Sequence, residues 1–192
     1  MKRNFKLREI KTRKAQVWVE TVIYTLIGLA IIGLLLAYAK PKIDSMKDKY
    51  IIDQTIDLMN KIDLKITETK LGAEGNKRII PELKISKGKL SIYGAYSQDG
   101  AGTNDGIVWS LDSKYKYSEV GAEIPVGNLK VKTEGSGPWT VTLNLTYSDA
   151  DLTYNGRDEL YEINAAPTPY SLTIENNGTT AFNSKRKIDL KI

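Results

Sequence analysis

Read for apolar and polar positions alone, the chain falls into three stretches. From Thr21 to Ala39 the segment TVIYTLIGLAIIGLLLAYA runs for 19 residues without a charge. As a helix rising ~1.5 Å per residue it measures about 28 Å, against a bilayer hydrocarbon core of ~30 Å. A core helix of a soluble protein keeps a polar face; this run has none and predicts a membrane span within residues 16–40. Beyond Lys40, Pro41 and Lys42 the period becomes three-and-four. Ile43, Met46, Tyr50, Ile51, Gln54, Leu58, Met59, Ile62 and Ile66 form one stripe, while Asp44, Lys47, Asp48, Asp57 and Lys61 take the other faces. This predicts an amphipathic helical stem over 41–67, bent at Pro41, where one backbone hydrogen bond is lost.

Gly72 and Gly75 break the helical pattern, and after a linker over 68–82 the period falls to two. Alternation predicts strands at LKIS (83–86), KLSIYGAY (89–96), IVWSL (107–111), NLKVKTE (128–134), WTVTLNLTY (139–147), YSLTIEN (170–176) and KIDLKI (187–192). In the clearest of these Trp139, Val141, Leu143, Leu145 and Tyr147 share one face, and the threonines and Asn144 the other. Turn signals separate them at Asp99-Gly100, Asn104 to Gly106, Gly135 to Pro138 and Asn155-Gly156. The predicted class is α+β: a long N-terminal helix followed by an antiparallel, β-sandwich-like head over 83–192.

Charge adds an orientation. Lys2, Arg3, Lys6, Arg8, Lys11, Arg13 and Lys14 face only Glu9 within residues 1–15, so this basic leader holds +6 of a chain whose total is +5. The body is left at −1, a poor counterion-releasing surface, which argues against nucleic acid as a partner. Basic residues flanking a span stay in the cytoplasm, so a single-pass protein is expected in the cell membrane, with its C-terminal domain outside. An ordinary secretory signal has a shorter apolar run ending in a small-residue cleavage site; here the run leads into more helix and is expected to be retained.

Composition then narrows the chemistry. The chain has neither cysteine nor histidine, which removes disulfides, thiolate chemistry, the usual general base and the commonest metal ligands. A structural or binding role without enzymatic activity, cofactor or metal is the expectation. Asp149, Asp151, Asn155 and Asp158 offer oxygens to calcium, but Asn155-Gly156 suits a hairpin turn better than an EF-hand loop. The stretch DGAGTNDG (99–106) lacks the lysine and helix of a phosphate loop and reads as a long hairpin connection. Asn144-Leu-Thr146 and Asn177-Gly-Thr179 are N-glycosylation sequons in a domain already placed outside.

Glu20 stands at the mouth of the apolar run. A carboxylate there is either solvated at the interface or drawn into lipid with a partner. Around it the order Arg13, Lys14, Ala15, Gln16, Val17, Trp18, Val19, Glu20 resembles archaeal prepilins with class III signal peptides. In that family a prepilin peptidase removes a short basic leader before a glutamine, and a glutamate follows at the fifth mature position. The resemblance implies a cleavage junction at Lys14, Ala15 and Gln16, with Glu20 in assembly; Trp18 stands where the family has serine, and Tyr24 where it has leucine. It also implies a β-rich head, and as partners the membrane, prepilin peptidase and other pilin-like subunits, including copies of this chain. Cutting before Gln16 creates an amine about one helical turn from Glu20, able to neutralise it within one chain or between neighbours. Two functions follow: a structural or minor subunit of a type IV pilus-like filament or a pilin-like membrane protein on the same processing route, and, as the alternative, a monomeric membrane-anchored extracytoplasmic binding module.

Overall fold

The structure, a computed structural model, describes residues 6–94, 105–180 and 184–192, with side chains from Val17 onward. The chain divides into two units, Met1–Asp44 and Ser45–Ile192. Helix α1, Lys6–Leu71, is 66 residues long, includes Pro41 and contributes to both. In the first unit the side chains from Val17 to Tyr38 are largely exposed. The helix is long and apolar enough to cross a membrane.

The second unit joins the last turns of α1 to ten strands. These are β1 (Lys77–Leu83), β2 (Lys89–Tyr93), β3 (Asp105–Ser113), β4 (Glu123–Val126), β5 (Leu129–Glu134), β6 (Trp139–Tyr147), β7 (Ala150–Tyr154), β8 (Tyr161–Asn164), β9 (Tyr170–Thr179) and β10 (Arg186–Lys191). They form a four-stranded sheet, β1-β9-β10-β7, and a six-stranded sheet, β4-β5-β6-β3-β2-β8. The larger is antiparallel throughout, with β6 and β3 in register from Trp139↔Ser113 to Tyr147↔Asp105. The smaller corrects the antiparallel expectation, because β10 runs parallel to β7.

Strand β6 forms as its alternation predicts: Val141, Leu143, Leu145 and Tyr147 are buried, while Thr142 and Asn144 on the other face are half-covered. Both sheets and one face of α1 contribute to a single core, including Ile80, Leu172, Ile188, Leu143, Trp109 and Ile62. Four strands escape the alternation pattern: β1, β4, β7 and β8. β1 covers the end of the expected linker and the first residue of the strand expected at 83–86, with Ile80 and Leu83 entering the core although Pro81 interrupts the run. It is an edge strand, where a missing amide hydrogen leaves no ladder position empty. The strand expected at 83–86 ends at Leu83, and that expected at 89–96 is β2, ending at Tyr93.

The stem's buried stripe also differs from the expected one. Asp48, Ile52, Thr55, Ile56, Met59, Ile62, Ile66 and Thr69 face the core, whereas Met46 and Tyr50 are exposed. The two stripes diverge at the start of the stem because Asp48, assigned to water by its charge, meets the head instead. Its carboxylate takes a salt bridge from Lys87 Nζ at 2.7 Å and a hydrogen bond from Lys114 N at 2.7 Å. A buried charge is tolerated when its oxygens are filled this way.

Candidate functional site

Along the apolar part of α1 the polar side chains fall into two kinds. Thr21 and Thr25 donate their hydroxyls to the backbone carbonyls of Val17 and Thr21, at 2.9 and 2.8 Å, and so hide them within the helix. That arrangement suits hydrocarbon, where an unpaired hydroxyl is costly. Glu20, as a carboxylate, accepts only and so cannot donate to a backbone carbonyl as the threonines do, and its side chain is exposed. A Cβ added at Gly28 or Gly33 would meet nothing within 4 Å, so another helix has room to approach closely there. Lys14, Ala15 and Gln16 lie on helical backbone; their side chains, and the leader from residue 1 to 5, are outside the described residues.

The exposed apolar surface of α1 does not stop with the uncharged run. Ile43, Met46 and Tyr50, spaced three and four apart, are 50%, 73% and 62% exposed. They lie past Lys40 and Lys42, on the part of the helix expected in water. Gln54, one turn on, donates to the Tyr50 hydroxyl at 2.9 Å, which fixes the ring on the outer face.

On its inner face the stem is gripped by polar contacts as well as by the core. Asp63 accepts from Tyr147 Oη at 3.0 Å through one oxygen and from Asn128 Nδ2 at 2.7 Å through the other. Burial and the neighbouring Asp63 charge push the Tyr147 phenol far above its ordinary value, so it stays a donor. Asn176 of β9, fully buried, donates to the carbonyls of Thr69 and Gly72 and thereby caps the end of α1. Lys70 in the last turn pairs with Asp149. Asp63, Lys70 and Asn176 carry no signal in the sequence for these contacts, because charge or amide character alone reads as solvent-facing. The Ile52, Ile56, Met59, Ile62 and Ile66 repeat is the signal that carries the inner face, and extending it one turn back lands on Asp48.

The remaining sequence-marked residues do not converge. Asp149 is engaged by Lys70, while Asn155 and Gly156, both at positive φ, make a two-residue turn closed by Tyr154 and Arg157. That is the hairpin geometry such a pair favours. Among the described residues no three acidic side chains are grouped to hold a metal ion. Of DGAGTNDG, residues 99–104 are outside the described residues. Asn177 is exposed on β9, whereas Asn144 is half-buried on the central strand β6, paired with Lys130 on β5 and Val108 on β3. Two shallow depressions share Lys84 and Ser86, one bounded by Ala165–Pro167 and the other by Gln54, Asp57 and Lys61 of the stem. Neither has an aromatic platform among its lining residues. No family model, curated relative or solved structure matches this chain.

Proposed function

We propose that the chain is a structural or minor subunit of an archaeal type IV pilus-like surface filament, processed by prepilin peptidase at Lys14-Ala15-Gln16. In this reading the uncharged run anchors the chain with its basic leader in the cytoplasm and its head outside. After cleavage the helix packs against helices of neighbouring subunits, and Glu20 meets a new N-terminal amine. The observation that carries the reading is the exposed apolar face at Ile43, Met46 and Tyr50. A simple anchor gains nothing from apolar side chains in water, whereas a helix that packs against another copy buries them, each contributing about 1.5–3 kcal/mol when fully covered.

The sheet edges favour assembly through the helix rather than through strand addition. β1 carries Pro81 with a register shift between Ile80 and Leu83, β4 carries Pro125, and β8 is four residues long. Such edges resist pairing with another chain. The test is the share of protein recovered in sheared surface filaments for wild type and Met46→Glu. A fall of tenfold or more, with membrane insertion unchanged, is expected. Equal recovery removes the role of this face, and absence of the wild-type protein from filaments leaves the tethered binding module as the better reading.

A further inference from the structure

Among the described residues, strand β7 is the outer strand of the smaller sheet, and its strand partner is β10. Its other edge is nevertheless held at two points. At Tyr154 the closure is local: Tyr154 and Arg157 exchange both backbone hydrogen bonds, at 2.9 and 3.0 Å, across the Asn155-Gly156 turn. At Leu152 it comes from the other sheet. The Leu152 amide donates to Asp105 Oδ2 at 2.5 Å, and Asp105 begins β3. Gly94, just after β2, lies against the same point: a Cβ there would stand 3.0 Å from the Leu152 carbonyl oxygen and 2.2 Å from Asp158 Oδ1. An ionisable side chain therefore holds the Leu152 amide.

Asp105 is only 7% exposed. Among the described residues, the charged groups that act on it are Asp151 on β7, Asp158 after the turn and Lys185 before β10. Burial opposes its negative charge most, the two aspartates add to that, and the Leu152 amide and Lys185 act the other way.

We propose that Asp105 is a proton-operated latch on the β7 edge: protonated, it stays closed over the Leu152 amide, and loss of the proton loosens it and bares that edge. A neutral carboxyl still accepts from an amide through its carbonyl oxygen and carries no desolvated charge. A carboxylate is better solvated anywhere outside the site, so deprotonation favours every state in which Asp105 has left it. The shift of the Asp105 carboxyl from 3.8 to about 6 supports this direction. If the open form titrates normally, a shift of that size raises the opening equilibrium by up to roughly a hundredfold between pH 4 and 7.

The test is amide hydrogen exchange of the full chain in detergent micelles from pH 4.5 to 7.5, corrected for intrinsic exchange. Protection of the Leu152 amide should fall by tens of fold in wild type and stay flat in Asp105→Asn. Asp151→Asn removes an opposing charge without touching the bond and should move the midpoint to lower pH. Exchange at Leu152 should also be nearly insensitive to low denaturant, unlike that of Leu143 on the central strand β6. A pH-independent Leu152, the same fall in Asp105→Asn, or Leu152 and Leu143 responding identically to denaturant would overturn the latch. Should Asp105→Asn fail to fold, an unmoved midpoint in Asp151→Asn overturns it alone.

Discussion

Asn176 donates its side-chain amide to the carbonyl of Thr69 at 3.1 Å, closing the last turn of the long helix from a strand more than a hundred residues later. The same nitrogen reaches Gly72 O at 3.0 Å, and the amide oxygen accepts from Gly178 N at 2.9 Å. Helix ends leave carbonyls short of donors, and here a buried side chain adds a donor to Thr69 O, which also accepts from Gly72 N, and one to the carbonyl of Gly72 just past the helix. Replacing Asn176 by Ala strands buried groups on both elements and is expected to cost about 1–3 kcal/mol. Asn176→Asp should cost more, since it sets a carboxylate against carbonyl oxygens. Denaturant midpoints of the full chain in micelles check both, and a neutral Asn176→Asp would refute the cap.

Asp63 supports the stem at a second point. Asp63→Ala leaves the buried Tyr147 hydroxyl without its acceptor, at an expected cost of about 1–3 kcal/mol. Tyr147→Phe removes the hydroxyl itself and should cost less than Asp63→Ala. In a double-mutant cycle the two losses should be clearly less than additive, and strict additivity would show that the pair is not coupled.

The head's stability should respond to pH in two directions. Glu175 lies between Lys191 at 2.8 Å and Lys77 at 3.0 Å, and hydrogen bonds from Lys191 and then Lys77 hold its carboxyl below the ordinary 4.5. Its contribution is present above 4.5 and lost as pH falls through the depressed folded value. Asp105 has the opposite sign: burial raises its carboxyl to about 6, so its contribution is full below 3.8 and lost as pH rises through about 6. Glu175→Gln should flatten the acid limb of a stability–pH profile, and Asp105→Asn the decline toward neutral pH. If each substitution changed the other limb, the assignment would be wrong.

Of the two sequons, Asn177 is the better placed acceptor. It is exposed on β9, while Asn144 is half-buried between two neighbouring strands. Peptide mass spectrometry of protein from its native host is expected to find glycan on Asn177 and not on Asn144, and Thr179→Ala should abolish it. Glycan confined to Asn144 would contradict this ordering.

Processing and assembly are tested at the junction and at Glu20. The mature N-terminus is expected at Gln16, and intact Met1 on the membrane form would remove the proposed leader. Glu20→Gln keeps the size and loses the charge, so it should insert and be cut normally yet reach filaments several-fold less. The paired charge it removes is worth about 1 kcal/mol in water and more where water is scarce.

By itself the sequence determined the features that depend on one local variable. An uncharged run of 19 residues has few stable options in a membrane other than a helix, because every backbone group must be satisfied within the segment. The alternation in β6 likewise separates its two faces without reference to any other strand. Tertiary structure decided what depends on a partner arriving from elsewhere. The parallel β10–β7 pair brings together segments more than thirty residues apart, and no period within either announces its neighbour. Asp48 reads as solvent-facing, as a charge in one dimension must, until Lys87 and the Lys114 amide, 39 and 66 residues away, fill its oxygens. Tyr50 reads as core and lies outside, because burying Asp48 turns the other face of the stem to the head. Burial is a property of the neighbours a side chain finds, and for the polar residues that lock this stem those neighbours are set by topology.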